Sequence, residues 1–179
     1  MLRRLSSIAL GLLILALQAP ATTLEKLSLE EMAAKSHIIV RGTVLGQSAM
    51  QRGTLVYTAY SLKVSEKLKG EAGATLQVSV PGGTIGRVRQ SFAGTPTLKT
   101  GSEYVVFIWK GQSGILHIIG LSQGLFDLKV NQAGEIVLSR GVLDAQLIDK
   151  SGKEVQSQSL VLTLERLRRM VRSTEGAVR

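Results

Sequence analysis

Cysteine does not occur in this chain. Its absence excludes a disulfide framework, a thiolate metal site, a Cys nucleophile and lipid attachment at a cleaved cysteine. Histidine occurs twice, as His37 and His117. A catalytic zinc takes about three protein ligands, and neither histidine has a second imidazole or an acid at helical spacing. Three Phe, three Tyr and one Trp are the whole aromatic complement, which leaves little for the stacking that binds single-stranded nucleic acid. Only three prolines are present, and with many β-branched residues this argues against disorder. Acidic residues number 13 against 22 Lys and Arg, for a formal net charge of +9. No internal repeat of solenoid period is found.

No serine lies in a G-x-S-x-G elbow, and only the two histidines could serve as a base. Asp127, Asp144 and Asp149 have no spacing that marks a catalytic pair. Pro81-Gly82-Gly83-Thr84-Ile85-Gly86 has the glycines of a phosphate loop, but no Gly-Lys-Ser/Thr follows and the next residues alternate as a strand. No metal and no cofactor are expected, and the chain is read as a non-enzyme.

The 179 residues suit one domain with a real core. Residues 1–21 read as a signal peptide: Arg3 and Arg4, an apolar run from Leu5 to Leu17, then Ala19-Pro20-Ala21 as a small-x-small cleavage pattern. Cleavage between Ala21 and Thr22 is expected, giving an exported chain, periplasmic or secreted. The apolar run is short against the ~20 residues a membrane span needs, and no other segment approaches one.

The remainder predicts a mainly β fold, a small OB-like antiparallel barrel over residues 22–140 with a short N-terminal helix. A connector and a C-terminal amphipathic helix occupy 141–179. Ser28 and Glu31 form a capping box for the first helix. Strands are expected at His37–Leu45, at Thr54–Lys69 and at Thr75–Val80. In the second, Val56, Thr58, Tyr60, Leu62 and Val64 alternate with Tyr57, Ala59, Ser61, Lys63 and Ser65. Further strands are expected at Ile85–Phe92, with Arg87 and Arg89 on one face, at Glu103–Trp109, and at Ile115–Leu121, Leu125–Val130 and Glu135–Ser139. Gly42 marks a bulge or a close backbone approach in the first strand. Gly46–Gly53 reads as a polar hairpin loop, and Gly141–Ser159 as irregular. Leu160, Leu164, Leu167 and Val171 give the last helix its apolar stripe.

The succession SHIIVRGTV, YSLKVSEKLKG, VPGG, AGTPTLKTGSEYVVFIW and IIGLSQGLFDL resembles a functionally unassigned family of exported bacterial proteins, over roughly Leu24 to Val130. It is distantly similar to the netrin-like domain of tissue metalloprotease inhibitors. That similarity implies a five-stranded OB-like barrel with a packed terminal helix. Those inhibitors chelate the protease zinc through an N-terminal cysteine, and none is present here, so their mechanism does not carry over.

The functional expectation is a non-enzymatic exported binding module. Its contact region is placed on Pro81, Gly82, Gly83, Arg87, Arg89, Gly94 and Pro96, because rim loops on a rigid scaffold carry binding. The partner is expected to be another exported protein, such as an exported peptidase. An envelope carbohydrate or anionic lipid surface is the alternative, drawn by charge alone. A hydrolase with an unrecognised site is a third reading.

Overall fold

The computed structural model describes residues 23–176. The signal-peptide segment and its boundary at Ala21 and Thr22 lie outside them. The described chain is mainly β with two helices, and its main sheet partly closes into a barrel-like ring.

A short strand β1 (Thr23–Glu25) leads to helix α1 (Leu29–Lys35). The capping box is formed as expected: the Ser28 hydroxyl accepts the Glu31 N–H at 3.1 Å and the Glu31 carboxylate accepts the Ser28 N–H at 2.9 Å. Strands β2 (Ile38–Arg52) and β3 (Leu55–Lys69) then form one long antiparallel ribbon. Gly42 combines both expected roles. The register shifts beside it, and a Cβ there would lie 2.9 Å from the Lys63 carbonyl oxygen.

The expected loop Gly46–Gly53 is not one: β2 continues to Arg52 and only Gly53 and Thr54 make the turn. The segment is polar because it leaves the ring. Its exposed side chains meet water while the ladder to β3 satisfies the backbone groups that face that strand.

Next come β4 (Thr75–Pro81), β5 (Gly83–Ile85), β6 (Val88–Gln90), β7 (Glu103–Lys110) and β8 (Leu116–Ile118). The order β7-β2-β3-β4-β8 returns to β7, which closes a ring of five strands. Val40, Tyr60, Leu62, Val78, Val80, Val106 and Ile108 fill its interior. A 3-10 turn at Leu121–Gly124 precedes β9 (Leu125–Val130), which takes the other half of the β7 edge, and β10 (Ile136–Arg140) pairs with β9.

The expected irregular stretch 141–159 carries β11 (Gln146–Ile148) and β12 (Glu154–Val155). They join β1 in a three-stranded sheet, with β1 and β11 parallel. Strands this short leave too little periodicity to detect. The last helix also begins later than its stripe implies. Leu160–Thr163 is β13, paired with β10, and α2 runs over Leu164–Gly176.

Leu164, Leu167 and Val171 bury against Met32, Ala33, Ile39, Phe107 and Phe126 on the outer face of the sheet. The near-continuous apolar run of β7 follows from this, since one face lines the ring and the other lies under both helices. The Arg168 guanidinium locks α2 down by a two-pronged bond to Glu66 on β3, at 2.8 and 2.9 Å. Arg166, Arg169 and Arg172 stay exposed.

Candidate functional site

Beyond the ring, the β2–β3 ribbon projects, and the chain leaving β4 folds back beside it. Ile85–Phe92 does not form the single strand expected. It reverses at Gly86-Arg87 into the β5–β6 hairpin, with Gly86 at φ 57°, a left-handed geometry that glycine takes without strain. Arg87 therefore sits in the turn and Arg89 on β6, and they share no strand face.

Between ribbon, hairpin and the segment 91–97 lies an open groove of about 640 Å³. Gln47, Ala49, Thr58 and Tyr60 from the ribbon line one side. Pro81, Gly82, Gly83, Arg89 and Gln90 line the next, and Phe92, Thr95 and Pro96 complete it. Of the sequence-derived contact residues, Pro81, Gly82, Gly83, Arg89 and Pro96 meet here. Arg87 stands outside at the hairpin turn. Gly94 belongs elsewhere: it packs against Leu24 and Ala145, and its carbonyl accepts the Ser122 N–H at 3.1 Å.

The hairpin is anchored by groups that the sequence did not mark. Gln90 extends the sheet with its side chain, accepting the Val56 N–H and donating to the Thr54 carbonyl, each at 2.8 Å. The Thr58 hydroxyl donates to the Gly82 carbonyl at 2.8 Å, and Gly82 N–H reaches the Val56 carbonyl at 2.7 Å. An alternating strand gives a reader no cue that one glutamine will imitate backbone.

Charge around the groove is one-sided. No acidic residue occurs from Gly42 to Ser65 or from Ala72 to Ser102, whereas Arg52, Lys63, Arg87, Arg89 and Lys99 do, all exposed. Large apolar side chains also reach water here: Leu55 is 39%, Val88 51% and Phe92 37% exposed. Burial raises the Tyr60 phenol above its ordinary value, so at the groove floor it is a neutral hydroxyl.

A second cavity of about 610 Å³ is lined by Arg41, Ser102, Glu103, Asp127, Lys129 and Ile136 among others. Two of its charges are matched to each other. Arg41 grips Glu103 at 2.9 and 2.8 Å and the Ser65 hydroxyl donates to the same carboxylate at 2.7 Å. The Arg41 bonds chiefly hold the Glu103 carboxyl below its ordinary value. A fork so satisfied braces β2 against β7.

The remaining residues weighed in the sequence are dispersed. Asp149 accepts the Ser151 and Lys153 N–H groups at 2.9 and 3.0 Å, closing a turn. Asp127 borders the second cavity and Asp144 is exposed. His37 Nδ1 accepts the Lys110 N–H at 3.2 Å. His117 lies between Trp109 and Tyr57, at centroid distances of 5.2 and 5.9 Å, and burial lowers its pKa below the ordinary value. Among the described residues no three His, Asp or Glu side chains gather where a metal could be held, and no helix is long and apolar enough to cross a membrane. No family model matches the chain, and no curated protein matches it.

Proposed function

We propose that this protein is an exported, non-catalytic binding module that holds a partner protein at the mouth of its barrel. One observation carries this: the acid-free groove between the ribbon and the β5–β6 hairpin, with Arg89 in its wall and Leu55, Val88 and Phe92 exposed in the elements that form it. Apolar contact area with a charged rim is what protein interfaces use, the first for affinity and the second for steering. The N-terminal segment supports export, and an exported peptidase is one partner of the right kind. The five-stranded ring with helices packed on it supports the distant likeness to netrin-like, OB-like barrels.

The test is a capture from the cell envelope and culture supernatant, with Arg87→Glu/Arg89→Glu run in parallel. Washing at about 0.15 M and then about 1 M salt shortens the screening length from roughly 8 to roughly 3 Å. A stoichiometric protein that survives the wash and is lost with the double variant is the expected result. Release of glycan or lipid by salt would replace the protein partner with an anionic surface. Capture unaffected by the charge reversal would remove the groove from the site.

A further inference from the structure

We infer that the free edge of β2 accepts an extended, acidic segment of the partner protein as an added strand, its alternate side chains entering the groove. This rests on the groove being the contact region. Strand β2 is flanked by β7 only from Ile38 to Thr43. The last satisfied position on that edge is Val44, whose N–H donates to Ser102 at 2.9 Å and whose carbonyl accepts Gly101 at 2.8 Å.

The direction of the backbone beyond it follows from the partner strand. Val56 pairs with Gln51, yet Val56 sends its N–H to Gln90 and its carbonyl to Gly82, away from β2. Gln51 and Val56 are thus a non-hydrogen-bonded pair, and Gln51 also points its N–H and C=O outward. The period of two extends this to Ala49 and Gln47. Among the described residues none of these six groups has a hydrogen-bond partner. Their spacing is that of one face of a β ladder, which an extended chain completes.

Natural edge strands are commonly blunted by lysine, proline or an inward charge. From Leu45 to Gln51 the sequence LGQSAMQ has neither charge nor proline. Gln47, Ser48 and Ala49 all border the groove, and Gln47 and Ala49 stand opposite Tyr60 and Thr58 on its inner face, so alternate residues of an added strand lie on that same side. There they meet Tyr60, Phe92, Pro96 and Arg89. The cations choose the occupant. A second copy, paired across a two-fold axis, would bring its own Arg52, Arg87 and Arg89 towards the first set with no carboxylate from this region, and like charges oppose such pairing. An Asp or Glu on a partner strand answers Arg89 instead.

The experiment uses random peptides displayed on phage and selected on the full chain. Selected peptides are resynthesised with a single N-methyl group at each position in turn, and their affinities are measured. Acidic sequences are expected, with N-methylation costing roughly tenfold or more at every second residue and little between. Ala49→Pro, which removes an outward N–H without touching the β2–β3 ladder, is expected to lose binding to the same degree. The N-methyl series needs no altered protein, so it decides the matter if that variant misfolds. A flat N-methyl profile with binding still lost in Arg89→Glu would overturn strand addition and keep the groove. Indifference to both changes would overturn both. Failure to select any peptide, or self-association abolished by Ala49→Pro, would also overturn the inference, the latter by naming a second copy as occupant.

Discussion

The side-chain carbonyl of Gln90 accepts the main-chain N–H of Val56 at 2.8 Å, so one carboxamide does the work of a neighbouring strand. Its amide completes the imitation at the Thr54 carbonyl. Gln90→Leu removes both bonds and leaves the Val56 N–H without its acceptor. A stability loss of roughly 1–2 kcal/mol is expected in denaturant titration, together with faster hydrogen exchange at Val56. Exchange at Val106, inside the ring, should stay slow if only the hairpin is released.

Gly42 and Gly46 stand four residues apart on β2 and should answer alanine in opposite ways. A Cβ on Gly42 would lie 2.9 Å from a backbone oxygen, whereas one on Gly46 meets nothing within 4 Å. Gly42→Ala is expected to cost about 1–3 kcal/mol, as overpacking does. Gly46→Ala is expected to be neutral or to add up to about 1 kcal/mol by restricting the unfolded chain. Urea midpoints of the two variants check the pair, and equal losses would refute the close-approach account of Gly42.

Acid should weaken the fold in two stages. His117 is shifted below its ordinary 6.5 by burial, so below that pH the unfolded chain takes up a proton first and stability declines. Glu31 is held at about 2 by Lys150 and the Ser28 N–H, and Glu103 is held below its ordinary 4.5 by Arg41. Their contributions are complete above 4.5 and are lost as pH falls through the folded values. Urea midpoints measured from pH 7 to pH 2 should show both declines. His117→Gln should flatten the first and Glu103→Gln should reduce the second, leaving the part due to Glu31; an unchanged profile in either variant would reject the assignment.

Legibility in the sequence followed the physics of each element. The β3 alternation was readable because one face buries Val56, Tyr60 and Leu62 while Lys63 and Ser65 are exposed. The α1 cap was readable because Ser28 and Glu31 act within one turn. Gly46–Arg52 was misread because strand pairing outside a core leaves no apolar signature, only the ladder to β3. Residues 146–148 and 154–155 were missed because strands of three and two residues show no period, and the first of them finds its parallel partner in β1, more than a hundred positions away. At the groove, the Pro-Gly-Gly corner, Arg89 and Pro96 were accessible to reasoning about rims. Gln90 and Phe92 were not, since the reversal at Gly86 decides where both go.

Met32 and Ala33 near one end of the described chain share a buried cluster with Leu164, Leu167 and Val171 near the other. A ribosome therefore releases this protein in an order opposed to its architecture. The five ring strands emerge and can close while Phe107 and Phe126 have only α1 over their outer side, the place of α2 still unfilled. The nascent chain keeps part of an apolar flank uncovered until its final helix is free. Loss of a few C-terminal turns would make that unfinished state permanent.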